Sequence, residues 1–150
     1  MPNSESCVTV RRVVSNFIFH TDAHGCRRLL LLKRSDKVRN YRGLWCTVSG
    51  SIADSDVSPY ACAVREIAEE TGLEEQQLAV VHQGSEMTVH ATDRNIDWVV
   101  TPFMWNLTSG DVAIDWEHTE YKWILPEKLG SYELVPDLIK TYQHVLDESQ

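Results

Sequence analysis

The chain has no surplus of basic residues. Lys and Arg number 14 against 22 Asp and Glu, a formal net charge of -8. Proteins whose main ligand is a nucleic-acid polymer usually carry the opposite balance, because neutralised phosphates supply much of their affinity. A nucleic-acid polymer is therefore not the expected partner. A small phosphate ester is compatible with an acidic chain, because a bound cation supplies the local positive charge. Cysteine is scarce and unpatterned. The four, Cys7, Cys26, Cys46 and Cys62, form no C-x-x-C pair and have no histidine at zinc spacing. Free thiols in a reducing compartment are the expectation. No apolar run is long enough to span a bilayer, and no apolar leader core is visible near the N-terminus. No membrane partner is expected, and the location expected by default is cytoplasmic, with the nucleus as the other reducing site. Repeats, low-complexity tracts and linkers are lacking too. A chain of 150 residues, 43% hydrophobic and 24% charged, then reads as a single domain with its own core, residues 1–7 being loose.

What is present begins with β-branched and aromatic residues over Val8 to His20, which suit a strand. Asp22-Ala23-His24-Gly25 reads as a turn, and the four leucines Leu29 to Leu32 within 28–33 as a buried strand, the two strands forming a hairpin. A polar, basic loop at 35–42 precedes strand-like residues 43–51. Further strands are expected at 77–83, 85–90, 96–107 and 120–125, a helical turn at 126–129, and a helix over 134–146 from the spacing of Leu134, Leu138, Ile139, Tyr142 and Val145. Strands, helix, strands, helix predict an α/β chain with a mixed β-sheet between helices.

The best-marked element is a helix at 59–71. Ser58 suits the N-cap, Pro59 the first helical position and Gly72 the terminating position. Ala61, Val64, Ile67, Ala68 and Thr71 form its apolar face. Glu66, Glu69 and Glu70 stand at i, i+3 and i+4, on one narrow face roughly opposite. Like charges so close repel, and helix formation alone gives no reason for them. A hard divalent cation does, because Mg²⁺ takes oxygen ligands and commonly works between carboxylates and substrate phosphates. Arg65, four residues before Glu69, can orient or partly neutralise that carboxylate.

The stretch Gly50 to Leu73 resembles the Nudix box, G-x5-E-x7-R-E-U-x-E-E-x-G-U with U aliphatic. Its second half is matched at Arg65, Glu66, Ile67, Glu69, Glu70, Gly72 and Leu73. Its first half departs. Counting back from Arg65 without a gap puts Ser51 at the glycine position and Val57 at the first glutamate. Keeping Gly50 requires one extra residue before the helix and places Asp56 near the glutamate slot. We adopt the second register, which keeps a glycine at the tight turn and a carboxylate close by.

The resemblance implies a Nudix-like α/β/α sandwich and a Mg²⁺-dependent hydrolase, with Mn²⁺ as the alternative ion. Water would attack phosphorus in the diphosphate linkage of a nucleoside diphosphate joined to another group. It implies metal ligands at Glu66, Glu69 and Glu70 with the Gly50 carbonyl, a supporting Arg65, and a general base at Glu66 or, second, Glu117. Trp45, Trp98 and Trp105 are aromatic candidates for a nucleobase wall, and Arg42, in the basic loop with Arg34, Lys37 and Arg39, is a candidate for substrate phosphates. His118, beside Glu117 and Glu120, reads as a surface histidine. The partner expected is a small nucleotide or phosphate ester, and a homodimer is a common assembly in that family. Two other readings follow from the same resemblance: a nucleotide-sensing or protein-binding domain without turnover, which would usually have lost one of the three acidic residues, and an isoprenoid-diphosphate isomerase, for which Cys46 makes no case. Substrate choice would rest in the loops around Trp45, 93–97 and Glu117.

Overall fold

The computed structural model describes residues 7–91 and 94–150; residues 1–6 and Asp93, named above, lie outside them. Among the described residues eight strands form one sheet: β1 (Thr9–Thr21), β2 (Arg27–Arg34), β3 (Trp45–Cys46), β4 (Val48–Ser51), β5 (Leu78–Gln83), β6 (Met87–Ala91), β7 (Ile96–Leu107) and β8 (His118–Ile124). Helix α1 spans Pro59–Thr71 and α2 Leu138–Ser149, with short 3-10 turns at Glu75–Gln77 and Pro126–Ser131. The sheet runs β3-β2-β1-β7-β5, with β4 also on β1, β6 on β7 and β8 on β2. β1 and β7 are parallel, from Thr9↔Ile96 to Phe19↔Asn106, and the remaining pairs are antiparallel. The sheet is therefore mixed, as expected.

The helices cover opposite faces. Side chains alternate along a strand, so Phe17 and Phe19 project together and meet Tyr142 of α2. Asn16, on the other face, bonds Trp105, which with Phe103 meets Tyr60 of α1. Leu29 to Leu32 are all buried, which explains the unbroken apolar run of β2: both its faces are covered. Each such side chain contributes on the order of 2 kcal/mol to burial.

Two elements differ from expectation. The strand expected over 43–51 breaks at Thr47. β1 and β2 pair only around Phe19↔Leu29 to Thr21↔Arg27; beyond that point β3 takes the edge of β2 and β4 the edge of β1. The chain switches neighbours at Thr47, whose hydroxyl meets Ser15 Oγ at 3.3 Å. The last helix begins at Leu138 rather than Leu134. Leu134 instead bridges Trp45, with Trp45 N–H donating to Glu133 O at 2.8 Å and Val135 N–H to Trp45 O at 3.0 Å. Pro136 disfavours helix in the residue before it. Ile139 lies half exposed, and the buried stripe of α2 is Leu138, Thr141, Tyr142 and Val145. The cysteines are all free, Cys7 and Cys26 exposed, Cys46 and Cys62 buried. Among the described residues no helix is long and apolar enough to cross a membrane.

Candidate active site

The ends of α1 are set as the sequence indicates. Ser58, extended at φ -164°, accepts from Ala61 N–H at 3.1 Å, and Gly72, at φ +75°, donates its N–H to Ala68 O at 2.9 Å. The left-handed backbone at position 72 is open to glycine without a Cβ penalty. The buried stripe of α1 is not the expected one. Cys62, Ala63, Ile67, Glu70 and Thr71 are buried, whereas Ala61, Val64 and Ala68 are half-buried. The helix is rotated so that part of its acidic face meets β4, and the three carboxylates sit in three environments. The Glu69 side chain is 56% exposed, Glu66 13% and Glu70 5%.

Glu66 lies directly over Gly50. A Cβ at position 50 would stand 2.1 Å from Glu66 Cδ and 2.2 Å from Oε2, so it is the present seat of the Glu66 carboxylate, not backbone conformation, that needs glycine here. This supports the register that keeps Gly50. Asp56 fits the same register. Arg65 donates to it twice, Nε to Oδ1 at 3.0 Å and Nη2 to Oδ2 at 2.8 Å, a bidentate fork. Asp56 Oδ2 also accepts from Ala53 N–H at 2.7 Å. The irregular loop between Gly50 and α1 is thus tied to the helix through Asp56. The Arg65 guanidinium holds the Asp56 carboxyl well below the usual range. The remaining guanidinium nitrogen, Nη1, reaches Glu66 Oε2 at 3.1 Å and Glu69 Oε2 at 3.3 Å.

Burial raises the Glu70 carboxyl far above the ordinary value, helped by a hydrogen bond and repulsion from Glu66 and by the charges of Glu117 and Asp115. Burial raises Glu66 as well. The physical cause is plain: two desolvated carboxylates side by side oppose each other's ionisation unless a cation stands near. Glu117, half-buried in the turn before β8, adds its charge to that repulsion. Its carbonyl accepts from Ser35 N–H at 2.7 Å.

His118 is not a surface residue. Its side chain is 2% exposed, with Nδ1 2.8 Å from Asp115 Oδ1 and Nε2 3.8 Å from Glu70 Oε1. Asp115 was not singled out in the sequence, although an aspartate three residues before a histidine on a turn is a spacing that permits this bond.

Glu66, Glu69, Glu70, Arg65, Gly50 and the charge of Glu117 are thus brought together. The aromatic candidates are not bonded to them. Trp45 is buried and meets Tyr132 edge-on at 5.6 Å, with Lys33 and Lys122 over its ring. Trp98, half-buried on β7, lies between Arg11 and Val89 of the neighbouring strands. Trp105 is fully buried and donates to Asn16 at 2.9 Å. Arg42 is exposed and donates through Nε to Val38 O at 2.6 Å.

Among the described residues no three His, Cys, Asp or Glu side chains stand together so as to hold a metal ion as they lie. The donors nevertheless suit a hard cation. Glu66 and Glu70 offer buried carboxylate oxygens, Glu69 is half exposed and held by Arg65, and Gly50 leaves its backbone against the Glu66 carboxylate.

Comparison with known proteins identifies the domain. The family model for the NUDIX domain matches residues 9–145. The chain belongs to the Nudix family. Solved structures agree on the fold. The NUDIX domain of Shewanella oneidensis NrtR, complexed with ADP ribose, is 16% identical, covers 99% of this chain and 94% of its own, and superposes with a TM-score of 0.78. The MutT protein from Methanosarcina mazei Go1 is 23% identical over 95% of this chain and 97% of its own, TM-score 0.75. A C. elegans Ap4A hydrolase binary complex is 20% identical over 92% and 98%, TM-score 0.71. No curated protein matches the chain.

Proposed function

We propose that this protein is a divalent-cation-dependent pyrophosphohydrolase acting on a nucleoside diphosphate linked to a second group. One observation carries the reading: Glu66 and Glu70 are drawn into the interior, 13% and 5% exposed, with Glu66 seated against Gly50 and tied to Arg65. A solvated acidic helix face needs no such burial. A binding domain without turnover would usually have lost one of the three carboxylates, and all three remain here with the Arg65–Asp56 support.

Glu66, Glu69 and Glu70, with the Gly50 carbonyl, hold the ion, Mg²⁺ first and Mn²⁺ as the alternative. When bound, such an ion polarises a phosphoryl oxygen and lowers the pKa of a coordinated water. The chain's own residues do the rest. Arg65 fixes Glu66 and Glu69 from one side and the loop from the other. Glu66, seated against Gly50, takes the proton of the attacking water, with Glu117 as the second candidate. Asp56 keeps Arg65 in its orientation. The neighbours named for ADP ribose and Ap4A support a substrate with a nucleotide diphosphate group, and Arg42 and Trp98 are the residues nearest in kind to the phosphate and base contacts it would need.

The test is product chromatography on a panel of ADP-ribose-like, dinucleoside polyphosphate and nucleoside triphosphate compounds, with and without Mg²⁺. Cleavage at a diphosphate linkage only with the ion is expected. A panel left intact would favour a sensing or protein-binding domain.

A further inference from the structure

Burying an imidazole among polar groups costs free energy unless its nitrogens are engaged, and packing alone gives no reason for His118 to lie inside. Its surroundings are specific. Asp115, on the loop before β8, bonds Nδ1 at 2.8 Å, which stops the ring from turning. Nε2 then faces Glu70 Oε1 of α1 at 3.8 Å and Cys46 Sγ of β3 at 3.7 Å. The loop is itself pinned. Ala113 N–H donates to Thr71 O at 2.8 Å, at the end of α1, and Ser35 donates from N to Glu117 O at 2.7 Å and from Oγ to Trp116 O at 3.0 Å. Asp115 and His118 are therefore fixed relative to the last turn of α1, where Glu70 stands.

We propose that His118, oriented by Asp115, is a positioning residue that holds Glu70 in its metal-binding rotamer. The inference rests on the metal reading above. A glutamate side chain loses up to about 2 kcal/mol of rotamer freedom when ordered. The Asp115–His118 pair removes part of that freedom before an ion arrives. One oxygen of Glu70 stands 3.8 Å from Nε2, a packing and electrostatic approach longer than a hydrogen bond. Partners of this kind commonly change metal affinity by ~10- to 100-fold. Cys46 is a neutral thiol beside the pair and adds no charge to it: burial pushes it up to about 12.

Two replacements separate the nitrogens. In His118→Gln the amide reaches the place of Nε2, and in His118→Asn it reaches only the place of Nδ1. Mn²⁺ titration of the purified protein followed by EPR is expected to show binding roughly tenfold weaker in His118→Asn and within about threefold of the parent in His118→Gln. The Mg²⁺ concentration for half-maximal turnover is expected to move in the same ratio, with kcat recovered at saturating ion. Parent-like affinity in His118→Asn, with Glu70→Gln impaired, would overturn the positioning role alone. Lower melting temperatures in both variants with unchanged affinity would overturn it too, as a purely structural role. A parent that binds no Mn²⁺, or a Glu70→Gln variant that binds it normally, would overturn the metal reading and this proposal with it. If neither His118 variant folds, Asp115→Asn carries the same test: severalfold weaker Mn²⁺ binding is expected, and unchanged binding overturns the proposal.

Discussion

Arg65 grips Asp56 through two parallel hydrogen bonds, at 3.0 and 2.8 Å, while its third nitrogen is held by Glu66 and Glu69. One guanidinium thus joins the loop before α1 to two of the carboxylates on it. Asp56→Asn keeps the shape but removes the charge. It is expected to lower the melting temperature by several degrees, read by circular dichroism, and to weaken Mg²⁺ activation. The fork also sets an acid limit. The Asp56 carboxyl lies below its ordinary 3.8 in the folded protein, so its stabilisation is fully present above that value and is lost as pH falls below it. The melting temperature of Asp56→Asn and the parent should converge at the acid end of a pH series.

Gly50→Ala gives a cleaner separation of fold and function. The added Cβ meets only the carboxylate end of Glu66, a flexible group that can swing away. The melting temperature is expected to change little. Turnover is expected to fall by roughly 10²-fold, because Glu66 is displaced from both Gly50 and Arg65. Normal turnover in this variant would remove Glu66 from the mechanism.

Glu70→Gln should exchange activity for stability. The buried carboxyl is strained toward its neutral form, and an amide is neutral at every pH. The metal-free variant is expected to melt roughly 3 °C higher than the metal-free parent at neutral pH, while turnover falls by about 10²-fold or more. Scanning calorimetry in a chelator checks the first outcome. Glu69→Gln, at an exposed position, is expected to lose turnover without that gain.

Affinity for the ion should rise with pH. The folded value of Glu70 is raised above its ordinary 4.5, so the metal-free protein is favoured below that value and loses stability as pH rises toward the raised one. A carboxylate must give up its proton to bind an ion. Calorimetric titration with Mg²⁺ between pH 6 and 9, conditions of the order chosen to span that window, is expected to show tighter binding and fewer released protons at the alkaline end.

Much of this site was legible in the sequence because its signals are local. Ser58, Pro59 and Gly72 mark α1 by backbone rules that hold within one turn, and the spacing of Arg65, Glu66, Glu69 and Glu70 needs only helical geometry. The hairpin of β1 and β2 was legible for the same reason. What was not legible depends on elements distant in the chain. Which side of α1 is buried follows from how the helix docks on β4, so Glu70 enters the interior although its neighbours in sequence are polar. His118 looked like a surface residue because Glu70, its partner, is 48 positions away. The break at Thr47 arises where β1 and β2 splay apart, and the late start of α2 arises because Leu134 is taken by Trp45. Asp56 lay between, since only the Arg65 fork shows that an aspartate out of the usual register can support the loop.

The most direct measurement is turnover of one cleavable nucleotide as a function of Mg²⁺, compared between the parent and Glu70→Gln. No cleavage without the ion, saturable activation in the parent and loss of about 10²-fold or more in the variant are expected. Cleavage that persists in a chelator, or a variant activated like the parent, would contradict the metal site on α1.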